Sequence, residues 1–437
     1  MEIGVLMNSE NNENRDKWID IISFTIFLAF VSCVMLTLFS RQTLGSPEKY
    51  HSDMKAYILE MQGLDSGYSF PYPVFFKLAA VINLFTSPEF AVALAAMLLN
   101  SLAIIVTKLM LERYAYKTLR GAFTAAEESR KSKGFWYGRS YLAGIIISLI
   151  TVSLFFVSML FPLGRFYLPG IKYNYLGVFT GNPFHNATYI AARPFAVLAF
   201  FQYASILEHY EEGCRDKRTL TEYILFSFTL LAATMTKPSF TIVLVGAAGL
   251  IMLYRMFKSK FKNFIPTLQL GLCFIPTFID LLYQFNGVFV PNEGVEGGIG
   301  FSFGEVWGYY CSNIPLAILL AIGFPVLVFL FNYKEIKTDT VYRFSWQIYW
   351  MSFAMAFLLY EKGFRKPDFN FSWGYMYGIF FAFVGAVLVL LKKTAACLAS
   401  KDRAGSVRVL LQWCAFMAHL VCGLYYFGII FKGGMYY

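Results

Sequence analysis

The chain has 437 residues, of which 57% are hydrophobic and only 15% are charged. Soluble proteins of average composition carry about 25% charged residues, so this composition excludes an ordinary soluble protein and indicates that lipid is the solvent. The net charge of +10 lies mostly between the apolar runs, which favours a role in membrane orientation over nucleic-acid binding. Seven cysteines occur without a CxxC pair, so neither a disulfide framework nor a zinc site is indicated.

Runs of about 20 apolar residues match the hydrocarbon thickness of a bilayer and predict membrane-spanning helices. The first run, 18–39, exceeds the roughly 7–15 residues of a signal-peptide core and lacks a small-residue cleavage site, so it is predicted to be retained as a span. The predicted fold is an all-α polytopic integral membrane protein, a single transmembrane domain over 1–437 with no soluble domain. About eleven spans are predicted: 18–39, 90–111, 140–161, 187–207, 220–236, 238–254, 264–286, 313–332, 344–360, 374–391 and 407–431.

The apolar stretch 74–85 has about 12 residues, which is too short to span, and predicts an interfacial or re-entrant helix instead. The distribution of basic residues supports this assignment. With the N-terminus inside, 24 Lys and Arg residues lie on the cytoplasmic side and 12 on the other, as the positive-inside rule expects. A span at 74–85 would put the seven basic residues of 112–139 outside. We therefore expect a multi-pass protein of the plasma membrane with a cytoplasmic N-terminus and a working face on the opposite side.

The predicted outer loops are longer than the cytoplasmic ones and carry aromatic, Gly, Pro and His residues, as loops that hold functional sites often do. They are 40–89, 162–186, 287–312 and 361–373. The Gly-rich stretch 293–304 lacks the spacing of a phosphate-binding loop and predicts a flexible outer loop or a gate. The longest cytoplasmic loop, 112–139, is predicted to be a solvated connector.

The first outer loop places His51 and Asp53 before a stretch with helical character, 54–62. Ser52 or Asp53 is suited to cap that helix. The alternative is that Asp53, held at the outer surface of the membrane, accepts a proton from a substrate hydroxyl. Both interpretations stay open at this stage.

The second polar region is GNPFHNATYIAARPF, at the entry to the fourth predicted span. It holds His185, Asn186, Thr188 and Tyr189, with Arg193 one turn further in. Polar groups at this depth are costly unless they line a cavity or meet a partner. They indicate a binding site, although an N-cap at a wet interface and a glycosylation sequon at Asn186 are alternatives.

Two further segments carry candidate residues. Lys237 lies in the tight turn between predicted spans five and six, where it is suited either to snorkel or to meet a phosphate. The segment 361–375 mixes charged and aromatic side chains, which suits a phosphate-and-sugar site but also an ordinary loop with an aromatic belt. Its polar residues are Glu361, Lys362, Arg365, Lys366, Asp368, Asn370 and Trp373.

An acid in the first outer loop, a following interfacial helix, about eleven spans and basic residues at outer span ends together resemble the GT-C class of membrane glycosyltransferases. The resemblance implies that a sugar moves from a polyprenyl-phosphate donor in the membrane lipid to a glycan or lipid acceptor. It implies Asp53, with His51, as the catalytic residues. The single Asp departs from the acidic pair common in that class, and no cofactor or metal ion is indicated.

The resemblance further implies two groups of binding residues. Those suited to the donor phosphate are Arg165, Lys172, Arg193, Lys237, Arg365 and Lys366. Those suited to the sugar or acceptor are His185, Asn186, Tyr189, Glu361, Asn370 and Trp373. A single base fits an inverting displacement, because a retaining reaction would need a second carboxylate as nucleophile.

Three alternatives remain. A polysaccharide polymerase of the O-antigen or capsule type uses the same lipid-linked substrates, but would be expected to carry a larger, Arg-rich outer loop. A flippase or transporter would be expected to carry internal repeats and buried ionisable groups, whereas Asp280 is the main intramembrane carboxylate predicted here. A membrane acyltransferase would use His185 or His51 as its base.

Overall fold

The computed structural model describes residues 2–46, 48–128, 140–160, 184–288, 297–400 and 403–434. These segments form seventeen α-helices, numbered in chain order. They are α1 Glu2–Thr43, α2 Met54–Met61, α3 Val74–Asn83, α4 Pro88–Leu111, α5 Lys117–Glu128, α6 Leu142–Leu154, α7 Ala187–His209, α8 Lys217–Thr236, α9 Ser239–Lys258, α10 Phe264–Leu272, α11 Ile275–Val288, α12 Glu305–Tyr310, α13 Ile314–Asn332, α14 Glu335–Thr338, α15 Thr340–Leu358, α16 Ser372–Ala399 and α17 Arg403–Phe431. Two short strands, β1 Ile299–Phe301 and β2 Leu359–Glu361, form the sheet of the described chain.

The helical content confirms an all-α polytopic membrane protein. Eight helices in the described ranges are long and apolar enough to cross a membrane, and the pair α10 and α11, bent by 51°, makes nine if it crosses as one. The predicted number of eleven spans is therefore not confirmed. The apolar stretch at 74–85 forms the ten-residue helix α3, as its length predicts.

Several helices begin at a polar residue whose side chain satisfies a free backbone N–H of the first turn. Ser87 caps α4, Asn186 caps α7 and Asp216 caps α8, each by accepting the amide three residues further on. Asn313 and Asp339 cap α13 and α15 in the same way. Each such cap stabilises a helix by about 1 kcal/mol, which explains why the helices begin at these residues.

The centre of the bundle is α16, whose apolar stretch is entirely buried by other helices. It packs most closely against α15, where a Cβ added at Gly378 would come within 1.9 Å of Ser352 Oγ. Small residues allow such close approach between helices in a membrane, where packing replaces the hydrophobic effect as the driving force. This central helix begins at Ser372, beside the polar residues described below.

The predicted span 140–161 is wrong in its second half. Helix α6 ends at Leu154, and residues 155–160 continue as buried, non-helical backbone. The segment packs against α17 so closely that a Cβ at Gly423 would come within 1.6 Å of Phe156 O. Hydropathy reports composition and not backbone conformation, so the apolar run gave no sign of this break.

The backbone of 155–160 finds its partners in two other helices. Ser158 N donates to His419 O over 3.2 Å, and Leu160 N donates to Leu320 O over 3.0 Å. The second bond is available because α13 is broken at Ile322, where φ is −122° and ψ is 23°. Buried backbone groups without water must be paired, and here three segments satisfy one another.

His419 completes this arrangement. Its Nδ1 lies 2.7 Å from Ser158 O, and its Nε2 accepts the Phe324 amide over 3.1 Å. Because a carbonyl only accepts and an amide only donates, Nδ1 carries the proton and the ring is neutral. The imidazole therefore bridges α13 and the segment after α6.

The predicted solvated connector, 112–139, is helical in its described part. Helix α4 continues through a π-helical turn, Glu112–Tyr116, into α5.

Lys108, near the end of α4, is buried and donates to both oxygens of Asp20 on α1 over 2.9 Å and to Glu112. This charge cluster joins the first and second predicted spans, through Asp20 and Lys108, and the sequence did not predict it. The predicted intramembrane carboxylate, Asp280, accepts from Gln284 over 2.8 Å.

The predicted flexible loop 293–304 is partly ordered. Its last residues include β1, which pairs antiparallel with β2 so that Ile299 faces Glu361 and Phe301 faces Leu359. Residues 289–296 lie outside the described part of the chain. The pairing joins the loop before α13 to the loop before α16, and so positions Glu361.

Candidate functional site

Asp53 lies where the loop after α1 meets the start of α7. Its backbone N–H donates to His185 O over 3.0 Å, which fixes the two segments against each other. Asp53 precedes the first residue of α2, but its side chain makes no capping hydrogen bond. The interpretation of Asp53 as a helix cap is therefore wrong, and its carboxylate is directed elsewhere.

The carboxylate of Asp53 is held through one oxygen. Oδ2 accepts from Asn186 Nδ2 over 2.7 Å and from the Tyr57 hydroxyl over 3.2 Å. The Asn186 amide cannot be reversed, because its Oδ1 accepts the Tyr189 backbone N–H over 2.8 Å and the Thr188 hydroxyl over 2.9 Å. Among the described residues no donor contacts Asp53 Oδ1, which leaves this oxygen for a ligand.

Lys237, at the end of α8, is the cation of the site. It is only 7% exposed, and its Nζ donates to Thr188 Oγ1 over 3.2 Å. The ammonium also lies 4.9 Å from the centre of the Trp373 ring and 5.6 Å from that of Tyr72. No carboxylate in the described chain forms an ion pair with it.

Burial lowers the pKa of Lys237 to about 8, although the charges of Asp53 and Glu361 act in the opposite direction. A buried cation without a counter-ion is costly, and the aromatic faces compensate part of that cost. An anion bound beside Nζ would compensate the remainder. The surroundings of Lys237 are thus those of an anion site.

Tyr57 lies between the Asp53 carboxylate and Thr188. Its hydroxyl is 3.3 Å from Thr188 Oγ1, and its ring packs edge-on against Phe70, Phe75 and Phe76. Burial raises the pKa of Tyr57 well above its ordinary value, and the Asp53 charge adds to the rise. The phenol therefore stays protonated and remains a donor to the carboxylate.

A second carboxylate, Glu361 on β2, is linked to Trp373 through Asn370. It is 9% exposed, and its Oε2 accepts from Asn370 Nδ2 over 2.8 Å. Arg365 Nε lies 3.6 Å from the same oxygen and 3.1 Å from Asp368 Oδ2. Burial raises the pKa of Glu361, and Arg365 and Asn370 oppose that rise.

Trp373 joins the two halves of the site. Its indole Nε1 donates to Asn370 Oδ1 over 3.3 Å, and its ring lies 5.4 Å from His185 and 5.6 Å from Tyr189. The residues predicted in four separate loops thus converge. The members brought together are Asp53, His185, Asn186, Tyr189, Lys237, Glu361, Arg365, Asn370 and Trp373.

The other predicted residues lie elsewhere. Arg193 is fully buried inside α7, with its guanidinium 5.0 Å from the centre of the Tyr189 ring. Lys366 pairs with Glu305 at the start of α12, and His51 is exposed. Arg165 and Lys172 lie outside the described residues.

Two residues of the site were missed by the sequence argument, Tyr57 and Tyr72. Tyr57 follows Asp53 by four positions, and residues four apart on a helix are neighbours. That spacing was the available signal. No such signal in the sequence pointed to Tyr72. This residue lies just before α3, and its ring reaches Lys237 only because α3 packs against the end of α8.

Comparison of the chain with protein-family models, with curated proteins and with solved structures finds no match. Within the described ranges, no group of three or more His, Cys, Asp or Glu side chains is placed to hold a metal ion.

Proposed function

We propose that this protein is a membrane glycosyltransferase that moves a sugar from a polyprenyl-phosphate donor to a glycan or lipid acceptor on the non-cytoplasmic face of the membrane. The observation that carries the proposal is that Asp53 and Lys237 are both held at the start of α7. Each is bonded to the Asn186–Thr188 turn at the start of α7, so a carboxylate and a cation are held by one element.

The carboxylate supplies the base. The acceptor hydroxyl gives its proton to Asp53 Oδ1, the oxygen that no described donor occupies. The acceptor oxygen then forms a bond to the anomeric carbon while the bond from that carbon to the phosphate oxygen breaks. The electron pair leaves on the phosphate, and a positioned base of this kind contributes about 10²–10⁴-fold in rate.

The cation supplies the phosphate site. The donor is a phosphodiester with one negative charge, and its phosphate becomes a monoester with a second charge as the sugar leaves. Lys237 Nζ, buried between two aromatic rings, is placed to stabilise that growing charge, because such a group acts in a site that excludes water. One base and one phosphate anchor fit a single inverting displacement.

The position of Lys237 between two membrane-spanning helices suits a donor with a lipid tail. The donor carries a polyprenyl tail, and Lys237 lies at the junction of two apolar helices, α8 and α9. The phosphate would bind at this junction while the tail remains in lipid. A soluble enzyme would have to remove the tail from the bilayer.

The experiment is transfer of radiolabelled sugar from polyprenyl-phosphate donors in proteoliposomes. Asp53→Asn should reduce transfer at least 100-fold, and Lys237→Gln should raise KM for the donor. Glu60→Gln, an acid on α2 outside the hydrogen-bond network of Asp53, is the matched control and should transfer normally. Wild-type rates in Asp53→Asn would overturn the mechanism, and movement of donor across the bilayer without covalent product would indicate a flippase.

A further inference from the structure

Glu361 has surroundings that repeat those of Asp53. Asn370 donates its amide to Glu361, as Asn186 does to Asp53. Each amide is fixed in orientation by a group that can only donate. The Tyr189 backbone N–H fixes Asn186, and the Trp373 indole N–H fixes Asn370.

Hydrogen bonds and charge contacts reach one carboxylate oxygen of Glu361 and leave the other without a donor in the described part of the chain. Asn370 and Arg365 both approach Oε2, and among the described residues no donor contacts Oε1. Oε1 is not among the buried, unpaired polar atoms of the described residues, so it is open to a ligand. A ligand hydroxyl would donate to Oε1, since an ionised carboxylate can only accept.

The position of Glu361 relative to the phosphate anchor is set by Trp373. The indole N–H bonds to Asn370, which bonds to Glu361, while the ring face covers the Lys237 ammonium. Trp373 is thus the side chain that links Lys237 to Glu361, and the charge of Glu361 acts on Lys237. A sugar attached to a phosphate at Lys237 would extend over this ring.

We propose that Glu361 binds hydroxyl groups of the sugar carried by the lipid phosphate, and that the site therefore selects an uncharged, hydroxyl-rich sugar over a uronic acid. The inference rests on the proposed function for its phosphate-linked ligand. A uronic acid would place its carboxylate beside Glu361 and Asp53, and like charges brought together in this way oppose binding. Glu361 is a specificity-determining residue in this scheme, and Asp53 alone takes the proton.

The test compares polyprenyl-phosphate glucose with polyprenyl-phosphate glucuronate, and each with its monodeoxy derivatives. Glu361→Gln should lower kcat/KM for the glucose donor about 10–100-fold, mainly through KM, and should reduce the preference over glucuronate at least tenfold. Glu361→Asp keeps the charge, so it should lose affinity while still rejecting glucuronate. Glu305→Gln removes a more exposed carboxylate at the start of α12 and should leave the preference unchanged.

Binding of glucose 1-phosphate and glucuronate 1-phosphate, measured by calorimetry in detergent, separates this inference from the proposed reaction. Unchanged discrimination in folded Glu361→Gln would overturn the inference, even if Asp53→Asn abolishes transfer. Discrimination that depends on Glu361 in a protein that transfers no sugar would overturn the proposed reaction and retain the sugar site. Absence of binding by either phosphate to the wild-type protein would overturn both.

Discussion

Asn186 donates from Nδ2 to Asp53 Oδ2 over 2.7 Å while its Oδ1 accepts the Tyr189 amide of the helix that it caps. One side chain therefore starts α7 and fixes the direction of the proposed base. The cap and the site depend on each other, because the same Oδ1 contacts that begin the helix also turn the amide nitrogen toward the carboxylate.

Asn186→Ala should affect transfer far more than stability. The substitution removes a cap worth about 1 kcal/mol and leaves Asp53 with the Tyr57 hydroxyl as its donor, so we expect kcat to fall about 10–100-fold. Asn313→Ala removes an equivalent cap from α13, at an exposed position. It should lower the thermal midpoint similarly and leave kcat unchanged. Equal kcat losses in the two variants would contradict the role of Asn186 in the site.

The pH dependence of donor use should follow Lys237. The pKa of Lys237 is lowered to about 8, and the charge of a phosphodiester donor is constant in this range. As pH rises and Lys237 loses its proton, kcat/KM for the donor should therefore fall, with an apparent pKa of about 8. Lys237→Arg should extend the plateau to higher pH, since Arg stays charged. Lys55→Arg, an exposed change on α2, is the control. An alkaline limb that is identical in Lys237→Arg and wild type would contradict this assignment.

Stability should change with pH in the opposite sense. The folded pKa of Lys237 lies below its ordinary value of 10.5, so the unfolded chain binds more protons in the intervening range. The stability of the unliganded protein should then rise between about pH 8 and 10.5. Thermal unfolding in detergent should show this rise in wild type relative to Lys237→Met. Parallel pH profiles of the two proteins would show that the ammonium is not buried.

Tyr57→Phe removes only the hydroxyl that donates to Asp53 Oδ2. The ring contacts with the neighbouring Phe residues remain, so the loss of stability should be about 1–2 kcal/mol. We expect kcat to fall about tenfold, because Asp53 Oδ2 keeps the Asn186 bond alone. Tyr349→Phe removes another buried hydroxyl, which lies 3.3 Å from the Tyr375 hydroxyl. It is the matched control and should transfer sugar normally in a rate assay.

Gly423 should be the least replaceable glycine of α17. A Cβ there would come within 1.6 Å of Phe156 O, whereas one at Gly428 on the same helix meets no atom within 4 Å. Gly423→Ala should therefore cost about 1–3 kcal/mol or more through overpacking, seen as a lower thermal midpoint. Gly428→Ala should be neutral or slightly stabilising. Similar midpoints for both variants would show that α17 does not pack on 155–160 as described.

The sequence predicted most of the long helices and the loops whose residues come together at the candidate site, because both depend on local composition. Apolar runs predicted the long helices, and polar residues at the ends of spans predicted Asn186, Lys237 and Trp373. The prediction of Lys237 as a phosphate residue rested on its type and place alone. Its burial between Tyr72 and Trp373 depends on tertiary packing, which no local pattern reports.

Other features lay beyond the sequence argument for the same reason. The end of α6 at Leu154 and the break of α13 at Ile322 occur inside apolar runs, where hydropathy cannot separate helix from other backbone. The β1 and β2 pairing joins residues about sixty positions apart, and only three residues of each strand take part. The orientation of the chain in the membrane stays a prediction, because it rests on the distribution of basic residues.

The break in α13 has a consequence for biogenesis. Leu320 O and the Phe324 amide lack their usual helical partner and are satisfied by Leu160 and by His419. Since unpaired backbone groups are costly in lipid, α13 cannot reach its final form before α17 is inserted. Helix α17 follows α13 in the chain, so a segment made later completes a span made earlier, and a nascent chain interrupted before α17 should lack the His419 partner of the Phe324 amide.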